Sequence, residues 1–329
     1  MTMKINKNHL YCYIALFLFL ISGCSDSLSD TTDGRLRYWI STLSSDEFEG
    51  RAPGTEGGKL TKNFISKTFQ DLDLDPINGN YLLEVPASEI TLKDSSYLTL
   101  SFRGNDRKMI KGQEVVFWTK HAREYRKIRD SEVVFVGYGI VAPEYNWNDY
   151  DGIDVEGKTV VILINDPGFA TGKLRLFNGR SMTYYGRWTY KFEEAARQGA
   201  SAAIIIHEDE PAAYPWSVVE NSWQGPQLDL QRDDLGADRV ILEGWIRDNT
   251  INEVLNFTGF DYESLKEIAL EKTFSAFSLR GLTLSSEIHN KVRYLQSHNV
   301  AAIKKGFLRP EEYILFMAHW DHLGIMKDV

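Results

Sequence analysis

Cysteine, surplus positive charge, internal repeats and long apolar runs are all scarce or missing in this chain of 329 residues. The two cysteines, Cys12 and Cys24, both fall in the first 24 residues, which leaves the rest of the chain without a disulfide. A formal net charge of −9 argues against a nucleic-acid partner, because such proteins usually carry a basic face. The acidity itself reads as solubility and names no chemistry. No low-complexity tract appears beyond one short polar stretch near the N-terminus. With 43% hydrophobic and 12% aromatic residues, the composition is that of a globular protein and excludes a disordered one.

The longest apolar stretch, from about Leu10 to Ile21, is too short for a comfortable membrane span. Lys4 and Lys7 precede it, and Ile21-Ser22-Gly23-Cys24 closes it. This resembles a bacterial lipoprotein signal, an ordinary signal peptide or membrane anchor being the alternative. The resemblance implies a signal peptide over 1–23, lipidation at Cys24, a polar tether over 24–33 and an exported, membrane-anchored protein of the cell envelope.

Periodicity organises the remainder. Leu36, Trp39, Ile40 and Leu43 share one helical face, and Leu60, Phe64, Ile65, Phe69 and Leu72 repeat the pattern. Between them lies the Gly- and Pro-rich loop "GRAPGTEGG". From about Tyr81 the period becomes two, as in half-buried strands. "SEVVFVGYGIVAP", "GKTVVILINDPG", "ASAAIIIH" and "DRVILEGWI" read as strands, and "YKFEEAARQG" as a helix with Gly199 at its C-terminal cap. Two further helical patterns are separated at Gly259. "SSEIHNKVRYLQSHNVAAIKKG" reads as strands, and "EEYILFMAHWDH" as one more, ending in polar residues.

His319 and Asp321 lie two apart at the end of that last run, so on a strand they share a face. Imidazole is a common zinc ligand, and zinc-binding histidines usually need a carboxylate to orient them or share the metal. A bare His-x-Asp pair is more often only a surface pair. The context is broader here. "NVAAIKKGFLRPEEYILFMAHWDHLG" resembles the start of the catalytic core of metallopeptidase family 28, with Asn299-Val300, Arg309-Pro310 and His319 to Gly324 as the matching points. "LSSDEFEGRAPGTEGG" and the helix after it look like that family's N-terminal elements. The middle of the chain is similar to the protease-associated domain that some members insert. The likeness runs from about Gly34 to Gly324.

That resemblance implies an α/β fold, a hydrolase-like zinc-exopeptidase sheet with helices on both faces, incomplete in this chain, plus an inserted β-rich protease-associated domain. The domains expected are 34–94 and 247–329 for the peptidase part and 95–246 for the insert. It implies two Zn2+ ions in a complete member, peptide substrates and an aminopeptidase reaction. His319 matches the first metal ligand and Asp321 the residue that orients it; His322 is not expected to be a ligand. The family's other ligands and its general-base glutamate follow this motif, so the isolated chain is expected to be inactive, as the N-terminal portion of such an enzyme. A non-catalytic envelope lipoprotein that binds peptides or a partner through the insert is the alternative, and a glutaminyl-cyclase-like acyltransferase ranks lower.

Other conspicuous residues read more plainly. His207 is expected as a satisfied core or edge histidine, and His289 and His298 as strand-surface polarity. Gly50, Arg51 and Gly54 shape a loop near the active-site rim. Arg187, Tyr190 and Lys191 belong to a packed aromatic turn, and "PEYNWNDYDGIDVEGK" lacks the spacing of a calcium-binding loop.

Overall fold

A computed structural model describes residues 32–325. The signal stretch, Cys24 and most of the tether lie outside these residues. The chain forms two compact units. One is Pro86–Gln296, and the other joins the described residues up to Val85 with those from Ser297 onward.

In chain order the main elements are α1 (Thr32–Leu43), α2 (Glu56–Asp71), β1 (Leu82–Leu92), β2 (Tyr97–Phe102), β3 (Asn105–Lys108), β4 (Val115–Trp118) and β5 (Tyr125–Phe135). Then come β6 (Thr159–Leu163), α3 (Trp188–Arg197), β7 (Ala202–His207), β8 (Pro226–Leu230), β9 (Leu242–Arg247), α4 (Asp248–Thr258), α5 (Tyr262–Ile268) and the long β10 (Phe277–Val300). The ten strands make one mixed sheet in the order β8-β1-β10-β5-β6-β7-β9-β4, with β2 on β10 and β3 on β2. Its middle, β5-β6-β7-β9, is parallel; β4 closes one end antiparallel to β9.

The parallel strands are buried on both faces, which is why they read as unbroken apolar runs rather than alternating ones. Val161, Leu163, Ile204, Ile206 and Ile246 point to one face and pack with Ile251, Val254 and Leu255 of α4 and Leu265 of α5. Val160, Ile162, Ala203, Ile205 and Trp245 point to the other and pack with Phe192 and Ala195 of α3. The result is a mixed α/β sheet flanked by helices.

This unit spans the 95–246 stretch read from the sequence as an insert together with residues 247–296. Strand pairing joins the two stretches. From Leu282 to Glu287, β10 is in antiparallel register with β2, and it also pairs with β5. Backbone groups hydrogen-bonded on both sides bind that stretch, and α4 and α5 with it, to the sheet.

The other unit is sparser. Thr55 caps α2, its side chain accepting from Gly58 N. Phe48 is buried edge-on against Phe64, with ring centroids 6.0 Å apart. Asp75–Pro76 pairs antiparallel with Ala302–Ile303. The strand expected over "YILFMA" does not form: residues 313–318 are in neither helix nor strand, and Tyr313 to Met317 are 72–90% exposed. Five apolar residues in a row specify a strand only where a neighbouring backbone completes the ladder, and none of the described residues does so. Among the described residues, no helix is long and apolar enough to cross a membrane.

Candidate functional site

The segment around His319 is held by a loop far away in sequence. Glu49, Gly50 and Arg51 all have positive φ, at 47°, 62° and 56°. For the two that are not glycine this is a costly conformation, which needs surrounding contacts to hold it. Those contacts come mostly from the His-x-Asp segment, with one from the end of α1. The Arg51 guanidinium donates from Nε to the Trp320 carbonyl at 3.0 Å and from Nη1 to the Leu43 carbonyl at 2.5 Å. His322 N donates to Arg51 O at 3.2 Å, and Gly324 N to Gly50 O at 3.0 Å. A Cβ at Gly50 would lie 2.7 Å from the Gly324 carbonyl oxygen, so this approach needs glycine.

Trp320 supplies a second anchor, donating from Nε1 to the His298 carbonyl at 3.0 Å. His298 Nδ1 lies 2.9 Å from Lys62 Nζ. An ammonium can only donate, so this bond places the His298 lone pair on Nδ1. Burial, and then the Lys62 charge, hold His298 below its usual pKa. Sequence reading treated His298 as surface polarity and passed over Lys62 and Trp320. No local spacing joins these three residues.

His319 is exposed, and its Nδ1 lies 2.7 Å from the Asp321 carbonyl oxygen. A carbonyl can only accept, so Nδ1 carries the proton and the Nε2 lone pair of the neutral ring is free. That is how a metal-binding imidazole is commonly oriented. The Asp321 carboxylate stands farther off, with Oδ1 at 3.6 Å from Nδ1. The main chain of Asp321 therefore makes the orienting bond, with its side chain nearby. The His322 side chain makes no hydrogen bond among the described residues, and only its amide is engaged, with Arg51.

His319 and Asp321 alone are too few donors for an ion. No group of three His, Cys, Asp or Glu side chains among the described residues is placed to hold a metal. His207 meets its expected satisfied state only in part, with Nδ1 at 3.5 Å from Asp209 Oδ1. It is buried among Tyr214, Trp216 and Trp245, and its Nε2 has no partner among the described residues. A scan against protein-family models finds no match to this chain, and a search of the curated proteins finds none either.

Proposed function

We propose that this chain is the N-terminal portion of a lipid-anchored, zinc-dependent peptidase of the metallopeptidase family 28 type, an aminopeptidase that releases N-terminal residues from peptides. In this reading Pro86–Gln296 contains the protease-associated insert, and the protein is exported to the cell envelope on a lipid at Cys24. One observation carries the reading. The Gly50-Arg51 loop and the His319–Gly324 segment were marked by the same resemblance, and they are hydrogen-bonded to each other across 269 positions from Arg51 to Trp320. The free Nε2 of His319 agrees with a ligand role.

The donor set among the described residues does not complete a zinc site, so no catalytic step is derived through the metal. The reading calls for further ligands and a general-base glutamate from outside residues 32–325. Two experiments test it. The purified chain should release no amino acid from aminoacyl substrates; chelator-sensitive turnover would show that outside ligands are not needed. The gene past codon 329 should encode, in some frame, an Asp-Asp ligand motif, a glutamate pair and a closing histidine. Unrelated sequence in every frame would overturn the proposal. The alternative, a non-catalytic lipoprotein that binds through its larger unit, is favoured by a cavity in that unit.

A further inference from the structure

That cavity has a volume of about 380 Å³ and is lined by residues between Tyr138 and Leu270. Tyr138 follows the C-terminal end of β5, Asn165 and Asp166 follow β6, and Glu208 follows β7. Ligands of open α/β sheets gather at these carboxyl ends. The volume falls within the roughly 300–1,000 Å³ usual for small-molecule sites.

Five carboxylates line the cavity, from Asp166, Glu208, Glu210, Glu263 and Glu267, against two cations. Both cations are already engaged. Lys266 Nζ lies 2.9 Å from Glu208 and 2.9 Å from Glu263. Arg180 reaches Glu210 at 3.2 Å and sits over the Phe169 ring, 5.7 Å from its centroid. Asp166 is spent on the amides of Gly168 and Phe169 and on Thr183. The surplus is negative, which disfavours a phosphate or carboxylate ligand.

A second observation is independent of that charge. Tyr138 is 5% exposed and lines the cavity, and its hydroxyl makes no hydrogen bond among the described residues. That hydroxyl is not among the fully buried unpartnered side-chain atoms, so it is accessible from the cavity that Tyr138 lines. Burial first, and then the charges of Glu208, Asp149 and Asp166, push the phenol far above its usual pKa, so it stays neutral and able to accept. The wall behind it is already fixed: the fully buried Lys191 donates to the carbonyls of Tyr138 at 2.6 Å and Asn165 at 2.7 Å.

We propose that this cavity binds an aliphatic ammonium group on an apolar stem, with the ammonium donating to the Tyr138 hydroxyl and the Glu208 carboxylate and the stem lying along Leu163 and Phe169. The proposal does not depend on a zinc site at His319. Such a group occurs in a free amine or in a lysine side chain of a peptide, and the test separates them. The purified chain is titrated calorimetrically with pentylammonium chloride, with Nα-acetyl-lysine amide, and with 1-pentanol as the uncharged control. Saturable one-to-one binding of at least one cation is expected, with none for pentanol. Tighter binding of the lysine derivative would point to peptides, and equal binding to free amines. Glu208→Gln should weaken binding about tenfold and Tyr138→Phe about threefold, as the loss of one charge-assisted and one neutral hydrogen bond implies. Glu263→Gln, on an exposed side chain, serves in place of Glu208→Gln if that variant does not fold; it too should weaken binding. Three outcomes would overturn the proposal: no saturable binding of either cation, pentanol binding as tightly as pentylammonium, or folded Glu208→Gln and Tyr138→Phe proteins that bind like the wild type.

Discussion

The two units of this chain use apolar residues in opposite ways. In Pro86–Gln296 both faces of a parallel core are covered, and Val133, Val134, Phe135, Val160, Ile162 and Ile205 have no exposure. In the unit built from the two ends of the described chain, Phe48 is the one buried large apolar side chain among the described residues, while Leu36, Ile40 and the run from Tyr313 to Met317 face outward. The difference shows that burial follows from layers, and not from hydrophobic content. A sheet with helices on both sides offers every apolar side chain a place, whereas two helices and a two-residue strand pair offer few.

The sharpest way to break the larger unit is through its one fully buried cation. Lys191 Nζ holds two carbonyls, and burial holds it well below its ordinary pKa, with Asp149 and Asp166 opposing that shift. Lys191→Met leaves those two buried carbonyls without their donor, which should cost about 2–5 kcal/mol in urea unfolding. A cost below 1 kcal/mol would show that the site relaxes or hydrates. The comparison between units is sharpened by a matched pair of leucines. Leu242→Ala in β9 should cost about 2–5 kcal/mol, and Leu315→Ala less than about 0.5 kcal/mol. Similar costs would mean that the run at 313–317 is covered in solution.

A smaller effect depends on pH. Glu243 is fully buried, accepts from Trp118 Nε1 at 2.8 Å, and is pushed up to about 7 by burial. Its ordinary value is 4.5. Between these values the native state holds a proton that the unfolded chain has released, so stability falls as pH rises through the window, and the cost is complete above about 7. Glu243→Gln, which keeps an acceptor for Trp118, should be near neutral below the window and stabilise by roughly 1–3 kcal/mol above it. An equal effect at both ends would refute the shift. A modest global effect is expected at the loop of the sparser unit: Arg51→Ala should cost roughly 1–2 kcal/mol or less. It should also speed amide exchange at His322 and Gly324. Unchanged exchange would show that the loop does not hold the His-x-Asp segment.

Much of the larger unit was legible in the sequence. "TVVIL" and "AAIIIH" announced strands, and Gly199 and Gly259 marked helix ends where both take positive φ. The apolar "YILFMA" was misread, because periodicity cannot show whether a neighbouring strand is present. His319 and Asp321 were legible by spacing, but the bond between them was not, since it runs through the Asp321 carbonyl. Lys191 gave no local sign of its burial: its partners lie 53 and 26 positions away.

By itself the sequence determined where apolar surface had to be hidden and where the chain had to turn, because side-chain hydrophobicity and backbone sterics act within a few residues. It also marked His319, Asp321 and the Gly50-Arg51 loop. Only the tertiary structure decided that Arg51 grips Trp320, that Lys191 lies fully buried behind two carbonyls, and that the Tyr138 hydroxyl faces a carboxylate-lined cavity without a partner. Hydrogen bonds and charges act over a few ångströms, and it is the fold that brings distant residues that close.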